Sequence, residues 1–216
     1  MSKIDRASLL FGLIGGTTLV VMSTVLGALL PGYDPISQTM SEIGERGSPF
    51  EGLFQVTLTV QAVCLLVFSY GVYRFASLRH VSALPAIAVG FLGLMDLGQS
   101  FFATPHPLHN LFGVPKVIGF LAPLFLAIMW PKSSDLRIVR VVSGVAGSLV
   151  LISVALNWMP LFVSLRWAED HLPWMVANFG LVQRTLFVFY AWCVFLAVSL
   201  FQHAVSARQV DLTRTA

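Results

Sequence analysis

The run "ASLLFGLIGGTTLVVMSTVLGALL", residues 7–30, decides what kind of molecule this chain forms. Its 24 residues include no Asp, Glu, Lys, Arg or His. A helix needs roughly 20 consecutive apolar residues to cross a bilayer, and this stretch has them. Lys3 and Arg6 precede it, an arrangement that also suits a cleaved secretory signal. A signal's apolar core spans only roughly 7–15 residues, so an uncleaved spanning helix is the expectation.

Five further apolar runs follow, at about 52–76, 81–103, 111–130, 138–158 and 180–204. Of the 216 residues, 56% are hydrophobic and 11% charged, with a mean hydropathy of +0.82. Soluble domains average about a quarter charged residues, so water is not the solvent for most of this surface. The expected fold is all-α: a single polytopic membrane domain over residues 1–216 with six transmembrane helices.

Lys and Arg distribution sets the orientation, because cytoplasmic loops carry the excess of both. With the N-terminus inside, the inner side holds Lys3, Arg6, Arg74, Arg79, Lys132, Arg137, Arg140, Arg208 and Arg214. The outer half holds Arg46, Lys116, Arg166 and Arg184, so nine of the 13 are inside. Asp34, Glu42, Glu45, Glu51, Glu169 and Asp170 all fall outside. The expectation is therefore a multi-pass protein of a prokaryotic cytoplasmic (inner) membrane, both termini cytoplasmic and membrane lipids its partners. The pI of about 9.1 reflects that topology and implies no nucleic acid partner. Cys64 and Cys193 both lie within spans, where buried free thiols are expected. Nothing in the pattern specifies an oligomeric state.

Directly after the first run comes "PGYDPISQTMSEIGERG", residues 31–47. Asp34 followed by Pro35 reads as a helix start, and Gly44 as its stop. Between them Ile36, Met40 and Ile43 form one apolar stripe, with Gln38, Ser41 and Glu42 on another face. The expectation is an amphipathic surface helix over 34–44, a lid with Glu42 turned toward a polar cavity. The third outer connection, 158–180, has Trp158, Trp167 and Trp174 around Arg166, Glu169, Asp170 and His171. It reads as a second surface helix at headgroup level.

The stretch "MDLGQSFFATPHPLHNLFGVPK", 95–116, carries the most suggestive polar groups. Asp96 lies about eight residues inside the third run, on the order of 10–12 Å deep. Gln99 and Ser100, three and four residues on, share its helix face. Lys116 lies in the fourth run, and intramembrane charges normally face inward and pair, so Asp96 is its expected partner. The pair reads either as a structural ion pair or as a working proton or substrate site. Pro115 introduces backbone irregularity beside it, tolerated where backbone is buried or lines a cavity. His106 and His109, with Asp96, Glu42 or His171 as third ligand, form a candidate metal set, with zinc as the candidate ion. Pro107 weakens that reading by pushing His106 toward extended geometry. Loop and capping roles for the two histidines are the alternative. Arg184, beside Gln183, either reaches the membrane interface or clamps an anion such as a lipid phosphate.

"PGYDPISQTMSEIG" after the first span and "HPLHNLFG" opening the fourth resemble a family of prokaryotic six-span membrane proteins, the DUF998 family of unknown function. The "SEIG" element (Ser41 to Gly44) and His109 carry the likeness. It implies one six-helix membrane domain and supplies no activity.

Three functions are therefore open. The first is a binding protein whose outward-facing polar cavity recognises a lipid headgroup or small solute. Ser41, Glu42, Asp96, Gln99, Ser100, Lys116 and Arg184 are its candidate binding residues. The second is a metal-assisted hydrolase or lipid-modifying enzyme with His106, His109 and Asp96 as ligands and Glu42 as catalytic base. The third is a small proton-coupled carrier using Asp96 and Lys116. No motif names a chemistry.

Overall fold

A computed structural model describes residues 1–159 and 165–214, with side chains at 1–159 and 167–206. The chain is all-helical in these regions. The long helices are α1 (Lys3–Leu29), α3 (Glu51–Leu78), α4 (Leu84–Ser100), α8 (Arg137–Trp158) and α12 (Phe187–Arg214). Short helices complete the order: α2 (Met40–Ile43), α5 (Pro107–Gly113), α6 (Lys116–Phe120), α7 (Ala122–Met129), α9 (Leu165–His171), α10 (Pro173–Ala177) and α11 (Phe179–Arg184).

Helix α1 packs on α3, and α3 on α4. Helix α4 then meets α5, α6 and α7; α7 meets α8; α8 meets α11 and α12; and α12 returns to α1. Six helical segments thus close into a ring, five of them long and apolar enough to cross a membrane. Gly16 is what lets α12 approach α1: a Cβ there would lie 2.6 Å from the Tyr190 carbonyl oxygen and 2.8 Å from Val194. Small residues permit such backbone approach in lipid, where no hydrophobic force drives helices together. The buried layer runs through Leu9, Leu65, Phe68, Leu92, Leu126, Phe189, Trp192 and Leu196. Outside it Val56, Ile87, Ile118, Ile128, Ile138, Val145 and Ile152 are exposed, an apolar belt suited to lipid tails.

Five segments are long and apolar enough to cross a membrane: Lys3–Leu29, Glu51–Leu78, Pro107–Met129, Arg137–Trp158 and Phe179–Ser206. The third expected span yields a helix of only 17 residues, α4, because Phe101 closes its last turn short of the "TPHP" bend. Two of the passes are broken. Pro115, with no N–H to donate, separates α5 from α6, and the chain turns again at Leu121 before α7. The last pass is interrupted between Arg184 and Phe187, a break that periodicity does not reveal.

One end of the ring carries the start of α1 and the later turns of α12 and is laced by polar contacts. Tyr70 Oη donates to Asp5 Oδ1 (3.1 Å), and Arg74 Nε reaches the same oxygen at 3.4 Å. Arg79 Nη1 meets Asp135 Oδ2 at 2.7 Å, His203 Nε2 lies 2.8 Å from the Asp135 carbonyl, and Trp130 Nε1 donates to the Ser82 carbonyl. The opposite end is where the loops gather.

Candidate functional site

The segment after α1 is not the continuous helix its pattern suggests. Asp34 does cap, but it caps a turn: its carboxylate accepts from the Ile36 and Ser37 N–H groups and from the Ser37 hydroxyl. Such local bonds offer the backbone an alternative to helix. A separate one-turn helix, α2, starts at Thr39, whose N–H and hydroxyl both donate to Glu42 Oε1 at 2.8 Å. The apolar stripe is correspondingly split. Met40 and Ile43 are buried, whereas Ile36 stands 50% exposed.

This strap is fastened across the ring by the last pass. Arg184 Nη1 donates to the carbonyls of Pro35 (2.7 Å), Gln38 (3.1 Å) and Gly180 (2.9 Å), and Nη2 to Tyr33 Oη (2.6 Å). Gln183 Oε1 accepts the Met40 N–H, and the Leu181 N–H donates to the Ile36 carbonyl. Gly180 lies so close beneath that a Cβ would sit 2.2 Å from the Gln38 carbonyl oxygen. Burial pushes the Tyr33 phenol above its ordinary pKa, with Arg184 pulling the other way, so the group stays a hydroxyl at neutral pH. Arg184 is therefore a clamp on the strap, its Nη1 and Nη2 turned to three carbonyls and the Tyr33 hydroxyl.

Beneath the strap lies a cavity of about 750 Å³. Every pass contributes to its wall: Leu19 from α1, Leu58 from α3, Gln99 from α4, His109 and Lys116 from α5 and α6, Trp158 from α8, and Tyr190 from α12. Ser41 and Glu42 line it from the strap, and Met175 and Phe179 from the third loop. Most of the wall is apolar, with polar groups converging from a few positions, the usual make-up of a small-molecule site.

The Asp96–Lys116 ion pair forms as the sequence suggests. Asp96 is wholly buried, and Lys116, 13% exposed at its side chain, faces the cavity and also donates to Gln99 Oε1. Gln61 of α3 completes the cluster, its Nε2 lying 3.3 Å from Asp96 Oδ2. An isolated amide in a strongly apolar run is the signal that could have exposed Gln61 beforehand. Ser100 does not join: its hydroxyl turns back to the Leu97 carbonyl at 2.7 Å.

The candidate metal set is not assembled. His106 Nδ1 accepts the Leu108 N–H as the cap of α5, its ring stacked on Phe102. His109 Nδ1 lies 2.7 Å from the Phe102 carbonyl, and Asp96 is held by Lys116 and Gln61. Among the described residues no three His, Cys, Asp or Glu side chains come together as an ion would require. His171 stacks on Trp167 at the surface, Arg166 lies outside the described side chains, and Cys64 and Cys193 are free buried thiols.

Two adjacent residues at the end of α8 hold the cavity wall: Asn157, which the sequence did not single out, and Trp158, expected only as an interfacial tryptophan. Where Pro115 breaks the fourth pass, the Val114 carbonyl accepts Trp158 Nε1 at 2.9 Å. Where the last pass breaks, the Val182 carbonyl accepts Asn157 Nδ2 at 3.1 Å. Broken backbone is tolerated at membrane depth when its freed groups find partners.

Apolar helices in a closed ring, with a loop-capped cavity reached by every pass, define a multi-pass helical membrane protein. The chain belongs to the family described as "Protein of unknown function (DUF998)", whose model matches residues 13–200. No curated protein and no solved structure matches it.

Proposed function

We propose that this protein binds an amphiphilic, lipid-class molecule in the cavity under the 33–44 strap, holding the polar head there without altering it. The carrying observation is the cavity itself, largely apolar, walled by all six passes, with Lys116, Gln99, Glu42 and His109 gathered on it. A chain-bearing ligand would satisfy both parts of that wall. The hydrolase reading loses support because its three ligands serve other partners and Glu42 already accepts from Thr39 and Gln38.

All six passes span the membrane in this reading. At 17 residues α4 stands at the lower end of the range of about 17–25 that suffices. The excess of Lys and Arg beside the termini supports termini in the cytoplasm of a prokaryotic cell and a cavity on the outer face of its inner membrane. Trp167 (42% exposed) and Trp174 (64%), on α9 and α10, suit headgroup depth, as surface helices would.

Native mass spectrometry of protein extracted in mild detergent tests the proposal. A co-purifying amphiphile is expected on the wild type and should be depleted in Val176→Trp, which fills the cavity from its wall. An empty wild type, or equal occupancy in a folded variant, would sink it.

A further inference from the structure

Resting on that reading of the cavity, the charges around it narrow the ligand's head. Lys116 is the cation among the described side chains lining the cavity, and Asp96 directly behind it neutralises it. Arg184 keeps its charge but stands outside the lining, its Nη1 and Nη2 turned to three carbonyls and Tyr33. Among the described residues, Glu42 is then the charged group of the lining with no ion-pair partner within 4 Å. Its Oε1 accepts twice from Thr39 and its Oε2 once from Gln38 Nε2 (3.0 Å), which leaves Oε2 a free lone pair.

The neutral polar groups lean the same way. The Phe102 carbonyl can only accept, so neutral His109 carries its proton on Nδ1 and keeps Nε2 as an acceptor. Asn157 uses its Nδ2 on the Ser153 and Val182 carbonyls, which leaves Oδ1 to accept. Donors are present too, on Gln183, Asn110 and Ser41, but none of them is charged. Trp158, Tyr190 and Phe120 add aromatic surface, which attracts a cation further.

We infer that the cavity selects an amphiphile whose head is a hydrogen-bond-donating ammonium, paired with Glu42, over neutral or anionic heads. An anionic head would meet Glu42 in the lining, where Lys116 already pairs with Asp96 and Arg184 is turned to the strap outside it.

The test uses the full-length protein in alkyl maltoside micelles and three amphiphiles of one tail length, bearing an ammonium, a glucoside or a sulfate. Competition is read by native mass spectrometry. The ammonium should bind about tenfold more tightly than the glucoside, with the sulfate weakest. Glu42→Gln, isosteric and still able to accept from Thr39, should collapse the ammonium-to-glucoside ratio toward one. Should that variant not fold, the wild-type series decides alone. A glucoside or sulfate bound as tightly as the ammonium, yet displaced by Val176→Trp, overturns the charge assignment and leaves the cavity reading standing. Binding that Val176→Trp does not change for any head would remove both.

Discussion

Arg79 and Asp135 meet at the end where α1 starts, with both side chains roughly two-fifths exposed, 38% and 43%. Asp96 and Lys116, near the other end, are drawn inside the ring at 0% and 13%. The first pair closes a rim where water or headgroups solvate each partner even if the other is lost. The second has no such recourse, and Gln61 and Gln99 supply the polar neighbours that solvent would otherwise provide. Backbone follows the division in part: the breaks at Pro115 and between Arg184 and Phe187 lie toward the loops, where Trp158 and Asn157 bond adjoining carbonyls, while the fourth segment turns again at Leu121 near its middle. One end is built to stay shut and the other to hold space open.

Removing the cation from each pair gives the largest test of that contrast. Lys116→Met leaves a buried carboxylate unpaired and should cost about 3–5 kcal/mol. Arg79→Met should cost no more than about 1 kcal/mol, the range of exposed pairs. Thermal unfolding in detergent measures both. The double change Asp96→Asn with Lys116→Met should recover much of the loss, because no lone charge then remains buried. Equal costs for Lys116→Met and Arg79→Met would mean that the two ends do not differ in the way described.

Strap fastening comes next in size. Arg184→Met removes a charged donor from four acceptors and should cost about 1.5–3 kcal/mol. Its signature is local: amide exchange should accelerate at Gln38 and Met40 while α3 and α8 keep their protection. Gly180→Ala should show the same pattern from overpacking, about 1–3 kcal/mol, because its Cβ would meet the Gln38 carbonyl. If exchange rises uniformly through the bundle instead, the strap is part of the global fold and not a separately held cover.

Much of this was legible in the chain itself, for reasons that differ by element. Long apolar runs placed the helices within a few residues, because a bilayer imposes length and composition directly. The Asp96–Lys116 pair could be read because two opposite charges in one apolar setting have few other partners. The strap could not be read as it is built. Ile36, Met40 and Ile43 share a helical period, yet the local bonds of Asp34 stop the first turn and Thr39 begins another. Arg184 was legible as a special residue but not as a clamp, since the strap carbonyls it holds, of Pro35 and Gln38, lie some 150 positions away in sequence. Carbonyls leave no trace in a sequence, so Asn157 was hidden, and Trp158 was legible only as an interfacial tryptophan and not as a partner of the Val114 carbonyl.

The smallest expected effect compares two exposed acids, one at each end. Hydrogen bonds hold the carboxyls of both Asp34 and Asp135 below the ordinary aspartate range, from Ser37 and the Ile36 N–H in one case and from Ser133 and Arg79 in the other. A carboxyl with a lowered folded pKa contributes stability that is complete above its unfolded value, about 3.9, and lost as pH falls through the folded value. Acidification below about pH 4 should therefore loosen both ends slightly, and neutral to alkaline pH should change neither. The ends should nonetheless respond differently. Protonating Asp34 undoes the turn that leads into the strap, so exchange at Ile36 and Ser37 should quicken. Protonating Asp135 leaves the His203 contact intact, because that bond uses the Asp135 carbonyl oxygen and not its side chain. Asp34→Asn should make exchange in the strap insensitive to acid and leave the Asp135 end as it was. A wild-type strap whose exchange does not change on acidification would show that the Asp34 turn does not hold the strap's entry.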